Sequence, residues 1–105
     1  MTDRLQTILT MLEKNPRDVF LQYSLGMEYA SAGRYDDAVA AFNRCLDLDE
    51  DYLAAHVEAG KCLRAAGKLD QARTTFAAAM DLAANAGEPH VRDYIRQQLE
   101  GLPKP

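Results

Sequence analysis

The 105-residue chain is long enough for one domain with a modest core, and its apolar share, rich in alanine, suits closely packed helices better than sheet. A formal net charge of −4, with no basic stripe, excludes a nucleic-acid surface. No apolar run reaches the length of a membrane span, and the charged start Met1-Thr2-Asp3-Arg4 gives no signal-peptide core.

The first predicted element is a helix capped by Thr2 or Asp3, with Leu5, Ile8, Leu9 and Leu12 at helical spacing. Asn15-Pro16-Arg17-Asp18 reads as the next helix start, with Asn15 at the N-cap, Pro16 in first position and Asp18 in third. That helix, over 16–32, is apolar on two faces. Leu21, Leu25 and Tyr29 make one stripe; Phe20, Tyr23 and Met27 make another. A helix in a two-helix hairpin needs a single wide stripe. The second stripe is therefore expected to lack a partner inside the hairpin and to serve recognition more than folding. A third helix follows Gly33, carries Asp36 and Asp37 in its first turn, where the helix dipole favours acids, and ends near Leu48. Asp49 or Asp51 is expected to cap a fourth helix, which runs to Ala66 and stops at Gly67. The fifth spans 69 to 84 or 85, and the sixth starts at Pro89 and ends at Gly101, Pro103 and Pro105.

These elements repeat. Adding 34 pairs Gly26 with Gly60, Ala32 with Ala66, Gly33 with Gly67, Asp36 with Asp70, Ala38 with Ala72 and Phe42 with Phe76. Asp47-Leu48 likewise returns as Asp81-Leu82. Self-similarity at a fixed period marks a stacked-repeat protein. Gly26 with Ala38, and Gly60 with Ala72, let two helices approach closely. Gly33 and Gly67 allow positive φ where a helix ends, and Phe42 and Phe76 fill the space between hairpins. Subtracting 34 places Ile8 where Phe42 stands and Leu12 where Leu46 stands, so the first helix is half a hairpin, a cap. In the sixth helix a strict period would put Asp93 in the core and Val91 and Ile95 outside it. A shift of two residues instead aligns Val91, Ile95, Leu99 and Leu102 against the preceding hairpin, with Arg96 at the glycine position, and leaves the polar outer face a terminal repeat requires.

On these residues the chain resembles the tetratricopeptide repeat family. Counted from Val19, repeat one reads Leu25-Gly26, Tyr29, Gly33, Tyr35, Ala38, Phe42, Cys45 and Leu46. Counted from Leu53, repeat two reads Ala59-Gly60, Leu63, Gly67, Leu69, Ala72, Phe76, Ala79 and Met80. The family's tryptophan is replaced by Gln22 and His56, and its repeat-end proline by Glu50 and Ala84. The resemblance implies an all-α fold, a right-handed α-α superhelix of antiparallel helical hairpins. It implies one domain over 1–105, with a capping helix in 1–15, repeats at 19–52 and 53–86, and a second capping helix at 88–102. It also implies a concave groove, lined by the first helix of each hairpin, that binds extended or helical segments of other proteins. Carried over by position, that groove is lined by Phe20, Tyr23, Met27 and Ser31, then Val57, Lys61, Arg64 and Ala65, then His90, Asp93 and Gln97 of the last helix. The family's clamp for a C-terminal carboxylate needs lysine, asparagine and asparagine where this chain has Tyr23, Met27 and Glu58, so a chaperone-tail adaptor is not expected.

Residues of the types that carry chemistry point elsewhere. Cys45 and Cys62 fall at small-residue positions in helices and are expected to be buried reduced thiols, which suits a cytoplasmic chain. Asp47, Asp49, Asp51 and Glu58 imitate a calcium loop, but Tyr52 stands where that loop turns on glycine, and the repeat places Val57 and Glu58 inside a helix. His56 and Cys62 are too far apart around a helix for zinc; His56 is expected in the core or at its edge, and His90 on the surface. No nucleophile elbow, phosphate loop or dinucleotide fingerprint is present. The expectation is a non-enzymatic interaction module without cofactor or metal. Its partner is a protein segment with apolar anchors and some acidic residues facing Lys61 and Arg64. The alternative is a structural homo-oligomer or assembly subunit joined through Phe20, Tyr23 and Met27.

Overall fold

A computed structural model describes residues 3–104, which form six α-helices and no strand. They are α1 (Asp3–Lys14), α2 (Val19–Ser31), α3 (Tyr35–Leu48), α4 (Leu53–Ala65), α5 (Leu69–Asn85) and α6 (Pro89–Glu100). Thr2 as a cap and Pro105 as a stop lie outside the described residues.

Two helix starts differ from the sequence expectation. Helix α2 begins at Val19, not Pro16, because the Leu21 N–H donates to Asp18 Oδ1 at 3.0 Å, which makes Asp18 the N-cap. Asn15, Pro16 and Arg17 form the turn instead, with the Asp18 N–H donating to Asn15 O at 3.1 Å. Neither Asp49 nor Asp51 caps α4. Asp49 Oδ1 accepts from the Asp51 N–H at 3.1 Å, a local turn of the kind aspartate favours, and Tyr52 enters the helix with no side-chain cap.

Consecutive helices pack on one another, and α2 also touches α4. The glycines set how closely. A Cβ built on Gly26 would lie 2.5 Å from Phe42 Cε1, and one on Gly60 would lie 2.6 Å from Phe76 Cε1. Both phenylalanines are fully buried, so each ring rests on bare backbone of the opposite helix.

The hairpins close through Gly33 (φ 74°) and Gly67 (φ 79°). In the first, the Gly33 and Arg34 N–H groups donate back to Ala30 O and Tyr29 O at 3.0 and 2.9 Å. Gly87 (φ 71°) repeats this geometry between α5 and α6, with Glu88 N–H donating to Ala83 O at 2.9 Å. There the 34-residue register breaks. Helix α5 runs 17 residues against 14 for α3, and the chain turns back through a hairpin turn. Ile95 is fully buried with Phe76, Ala83 and Leu102, while Asp93 is exposed, as the two-residue shift requires.

The core has three connected parts. Leu5, Ile8 and Leu12 of α1 pack on Leu21, Leu25 and Ala41. Ala38, Phe42, Cys45, Ala55, Ala59 and Cys62 join α3 to α4. Phe76, Ala79, Ala83, Ile95 and Leu102 join α5 to the last helix and the turn after it. One polar side chain is out of place in this core: Gln22 is buried and its Oε1 has no hydrogen-bond partner. A buried acceptor without a donor costs about 1–3 kcal/mol. Gln22→Met, of similar shape, is expected to raise the melting temperature by about 4–8 °C, roughly 1 kcal/mol in a domain this size. A thermal melt at or below the wild-type value would mean the carbonyl is satisfied in solution.

Candidate functional site

Helices α2, α4 and α6 share the inner face. Among the residues expected there, Phe20 is 64% exposed, and Ser31, Arg64, Ala65, His90, Asp93 and Gln97 are exposed. Tyr23, Met27 and Lys61 are half-buried, and Val57 is buried.

The second stripe of α2 is not without partners, contrary to the sequence reading. The Tyr23 ring lies 5.7 Å from Phe42 and 5.2 Å from Tyr52, and Met27 packs on the same cluster. The cause is Gly26. Its missing side chain admits the Phe42 ring, which reaches through to Tyr23 one turn away, while Tyr52 closes over from the start of α4. Phe20 stands clear of this packing.

The expected cations are engaged as well. Lys61 Nζ lies 3.4 Å from Glu58 Oε1, one turn earlier on α4. Burial pulls the Lys61 ammonium down, but the Glu58 carboxylate and Tyr94 outweigh it and hold it above its ordinary value. Arg64 donates to Gln98 Oε1 across to α6. Burial, with Glu58 adding, pushes the Tyr23 phenol up. These side chains form one continuous surface in which Tyr52, Glu58, Tyr94 and Gln98 take part. The sequence reading passed over Tyr52, Tyr94 and Gln98. Tyr94 and Gln98 follow Val91 at helical spacing, so the stripe of α6 was present in the sequence, one residue away from His90, Asp93 and Gln97.

Two hollows flank α4. On the inner face a cavity of about 410 Å³ opens between the starts of α4 and α6, lined by Leu53, Ala54, Val57, Glu58, Glu88 and Val91. On the outer face a hollow of about 290 Å³ lies between α3 and α5, with Val39, Leu46, Ala59 and Leu63 below and Asn43, His56, Gln71 and Thr75 around it. His56 Nε2 is 3.0 Å from Glu50 O, an edge position.

Cys45 and Cys62 are free and buried, and burial, with Asp49 adding, pushes the Cys45 thiol up to about 11, far from thiolate reactivity. Val57 and Glu58 lie well inside α4, away from any loop that would wrap a cation. Among the described residues no group of three His, Cys, Asp or Glu is placed to hold a metal, and no helix is long and apolar enough to cross a membrane.

Comparison with known proteins agrees with this architecture. The family model for the tetratricopeptide repeat matches residues 29–93. A TPR repeat-containing protein of Pseudomonas aeruginosa is 33% identical over 78 residues, 74% of each chain. The solution structure of a Bordetella parapertussis protein superposes with a TM-score of 0.84 at 25% identity, over 95% of this chain and 87% of that one. The type III secretion translocator chaperone SycD of Yersinia enterocolitica superposes with a TM-score of 0.86 at 22% identity, over 91% of this chain and 67% of its own. A tetratricopeptide repeat domain of Salinibacter ruber gives 0.72 at 24% identity, over 80% and 85% of the two chains. The last two, at these identities, speak for the fold alone.

Proposed function

Because the chain belongs to the tetratricopeptide repeat family, whose fold is in general a protein–protein interaction module, we propose that it binds a segment of another protein along the inner face of α2, α4 and α6. The observation that carries this reading is Phe20, a large aromatic held 64% exposed at the start of α2, next to the half-buried Tyr23 and Met27. Met27, Ser31, Lys61, Arg64 and Ala65 extend the surface, and Val57 supports it from beneath. In this reading 1–105 is one non-enzymatic domain, with repeats at 19–52 and 53–86 between end helices in 1–15 and 88–102. Two free buried thiols support a cytoplasmic setting. Lys61 and Arg64 favour acidic residues in the middle and far part of the bound segment.

Phe20→Glu is expected to leave the unfolding free energy within about 0.5 kcal/mol of wild type, since an exposed side chain leaves no cavity. The same change is expected to remove most partner capture, because aromatic anchors dominate interfaces. Affinity capture from the source cell with both forms is the test, and equal capture would end the groove reading. Tyr23→Ala is not a clean binding variant, since its ring packs on Phe42 and Tyr52 and its loss costs stability too. The alternative, self-association through the same exposed aromatic, requires a wild type that sediments as a dimer and a Phe20→Glu form that sediments as a monomer.

A further inference from the structure

We propose that the groove is polarised, and that the cavity between α4 and α6 takes an apolar side chain of the bound segment with a lysine or arginine beside it. This rests on the groove reading above and adds the chemistry of the partner. The two repeats differ in what they place at this opening. Ala54 and Val57 line it, and 34 positions earlier the same places on α2 are Phe20 and Tyr23. Repeat one offers two rings where repeat two offers a methyl and a valine, and repeat two is open over Leu53, Val57 and Val91.

The rim of this opening is acidic. Glu88 lines it from the N-cap position of α6 but makes no side-chain cap hydrogen bond, and among the described residues its carboxylate has no cationic partner. Glu58 lines the opposite side, where Lys61 Nζ lies 3.4 Å from its Oε1, so the unpaired carboxylate of the rim is that of Glu88. No lysine or arginine occurs between Arg44 and Lys61, where there are five carboxylates, or between Arg73 and Arg92, where there are two. Three of them, Asp49, Glu50 and Asp51, enter α4 at the cavity end. Arg92, the nearest following cation, is paired with Asp93 at 3.5 Å.

The other end of α4 has the opposite sign. Arg64 stands eleven residues beyond Leu53, about 16 Å along a helix, and spends one N–H on the neutral Gln98. A segment lying along α4 therefore meets carboxylates at one end and a guanidinium at the other. A lysine or arginine can lay its methylene stem on the apolar wall and keep its charge at Glu88. The field of the acidic edge also steers such a segment in and rejects the reverse polarity.

The test is selection of phage-displayed random peptides of about twelve residues, long enough to span that distance as a helix. Wild type is expected to select peptides that set leucine, isoleucine or methionine next to lysine or arginine. Ala54→Phe, which puts repeat one's ring at an exposed position on the cavity mouth, is expected to weaken these peptides about tenfold by obstructing entry. Glu88→Lys is expected to weaken them about three- to fivefold, with recovery when the peptide's basic residue becomes glutamate. Glu88→Gln gives the same sign with a smaller change, and thermal melts confirm that each variant is folded. Neutral or acidic peptides that bind in a Phe20-dependent way would overturn the polarity and leave the groove reading standing. Peptides indifferent to Phe20→Glu, or no peptides at all, would overturn both. Concentration-dependent self-association lost in Ala54→Phe would give the cavity to a second copy and overturn the proposal.

Discussion

Gly26→Leu is expected to leave the domain largely unfolded at temperatures where the wild type gives a cooperative melt. A single Cβ at this position would sit 2.5, 2.6 and 2.8 Å from three atoms of the Phe42 ring. The ring cannot retreat, because it is fully buried and Tyr23 stands 5.7 Å away on its inner side. Overpacking of a filled core costs about 1–3 kcal/mol and sometimes more, and leucine adds three further carbons beyond the one that already collides. Ala72→Leu, at a fully buried methyl facing the second hairpin, belongs to the same class. Gly33→Ala is the informative control. A Cβ there meets nothing within 4 Å, and its cost, about 1 kcal/mol, comes from holding alanine at φ 74°. Circular-dichroism melts of the three variants separate collision from backbone strain. A Gly26→Leu melt within about two degrees of wild type would sink the hairpin geometry.

Ile95→Ala is expected to cost about 2–5 kcal/mol, and Asp93→Ala no more than about 0.5 kcal/mol. Ile95 has no exposed surface and meets Phe76, Ala83 and Leu102, so truncation leaves a void in the part of the core that holds α6. Asp93 is exposed, between Arg92 and Arg96 at 3.5 and 3.6 Å, and exposed pairs of this kind contribute little. Chemical denaturation of the two variants checks both values. If Asp93→Ala proved the costly one, the strict 34-residue period would run through the last helix after all.

Most of the framework could be read from residue spacing, because a hairpin that must bury Phe42 on Gly26 and turn at Gly33 leaves few alternatives. The same logic returns at Gly60, Phe76 and Gly67. Reading failed where two local solutions compete or where a neighbouring helix intervenes. Asn15-Pro16-Arg17-Asp18 allows two starts for α2, and the carboxylate that reaches an amide, Asp18 to Leu21, decides between them. Asp49 reaches the Asp51 amide before it can serve α4. Tyr23 lies on a separate face of α2 when that helix is drawn alone, but such a drawing contains neither the Phe42 ring nor Tyr52. Val57 matches a groove position and is buried, because it belongs to the cluster of Leu63, Phe76 and Ile95, with Leu53 and Val91 packed against it. The pairing of Lys61 with Glu58 was legible at one-turn spacing, whereas its link to Tyr94 needed the placement of α6.

Packing that joins each helix mainly to the one before and the one after it also governs how the chain acquires and loses its structure. Contacts between sequence neighbours close short loops, so the entropic barrier is low and folding belongs to the fast, microsecond-to-millisecond class of helical domains. Stability accumulates interface by interface instead of through one central core. Among the described residues α1 is held through its packing on α2 and the adjoining Ala41, together with an Arg4–Glu28 ion pair of 2.6 Å, whereas α3 and α4 are each flanked on both sides. The end helix can therefore detach and return while the middle of the array stays intact. Its amide protons exchange with solvent through that local opening, and those of α3 and α4 wait for the whole chain to unfold.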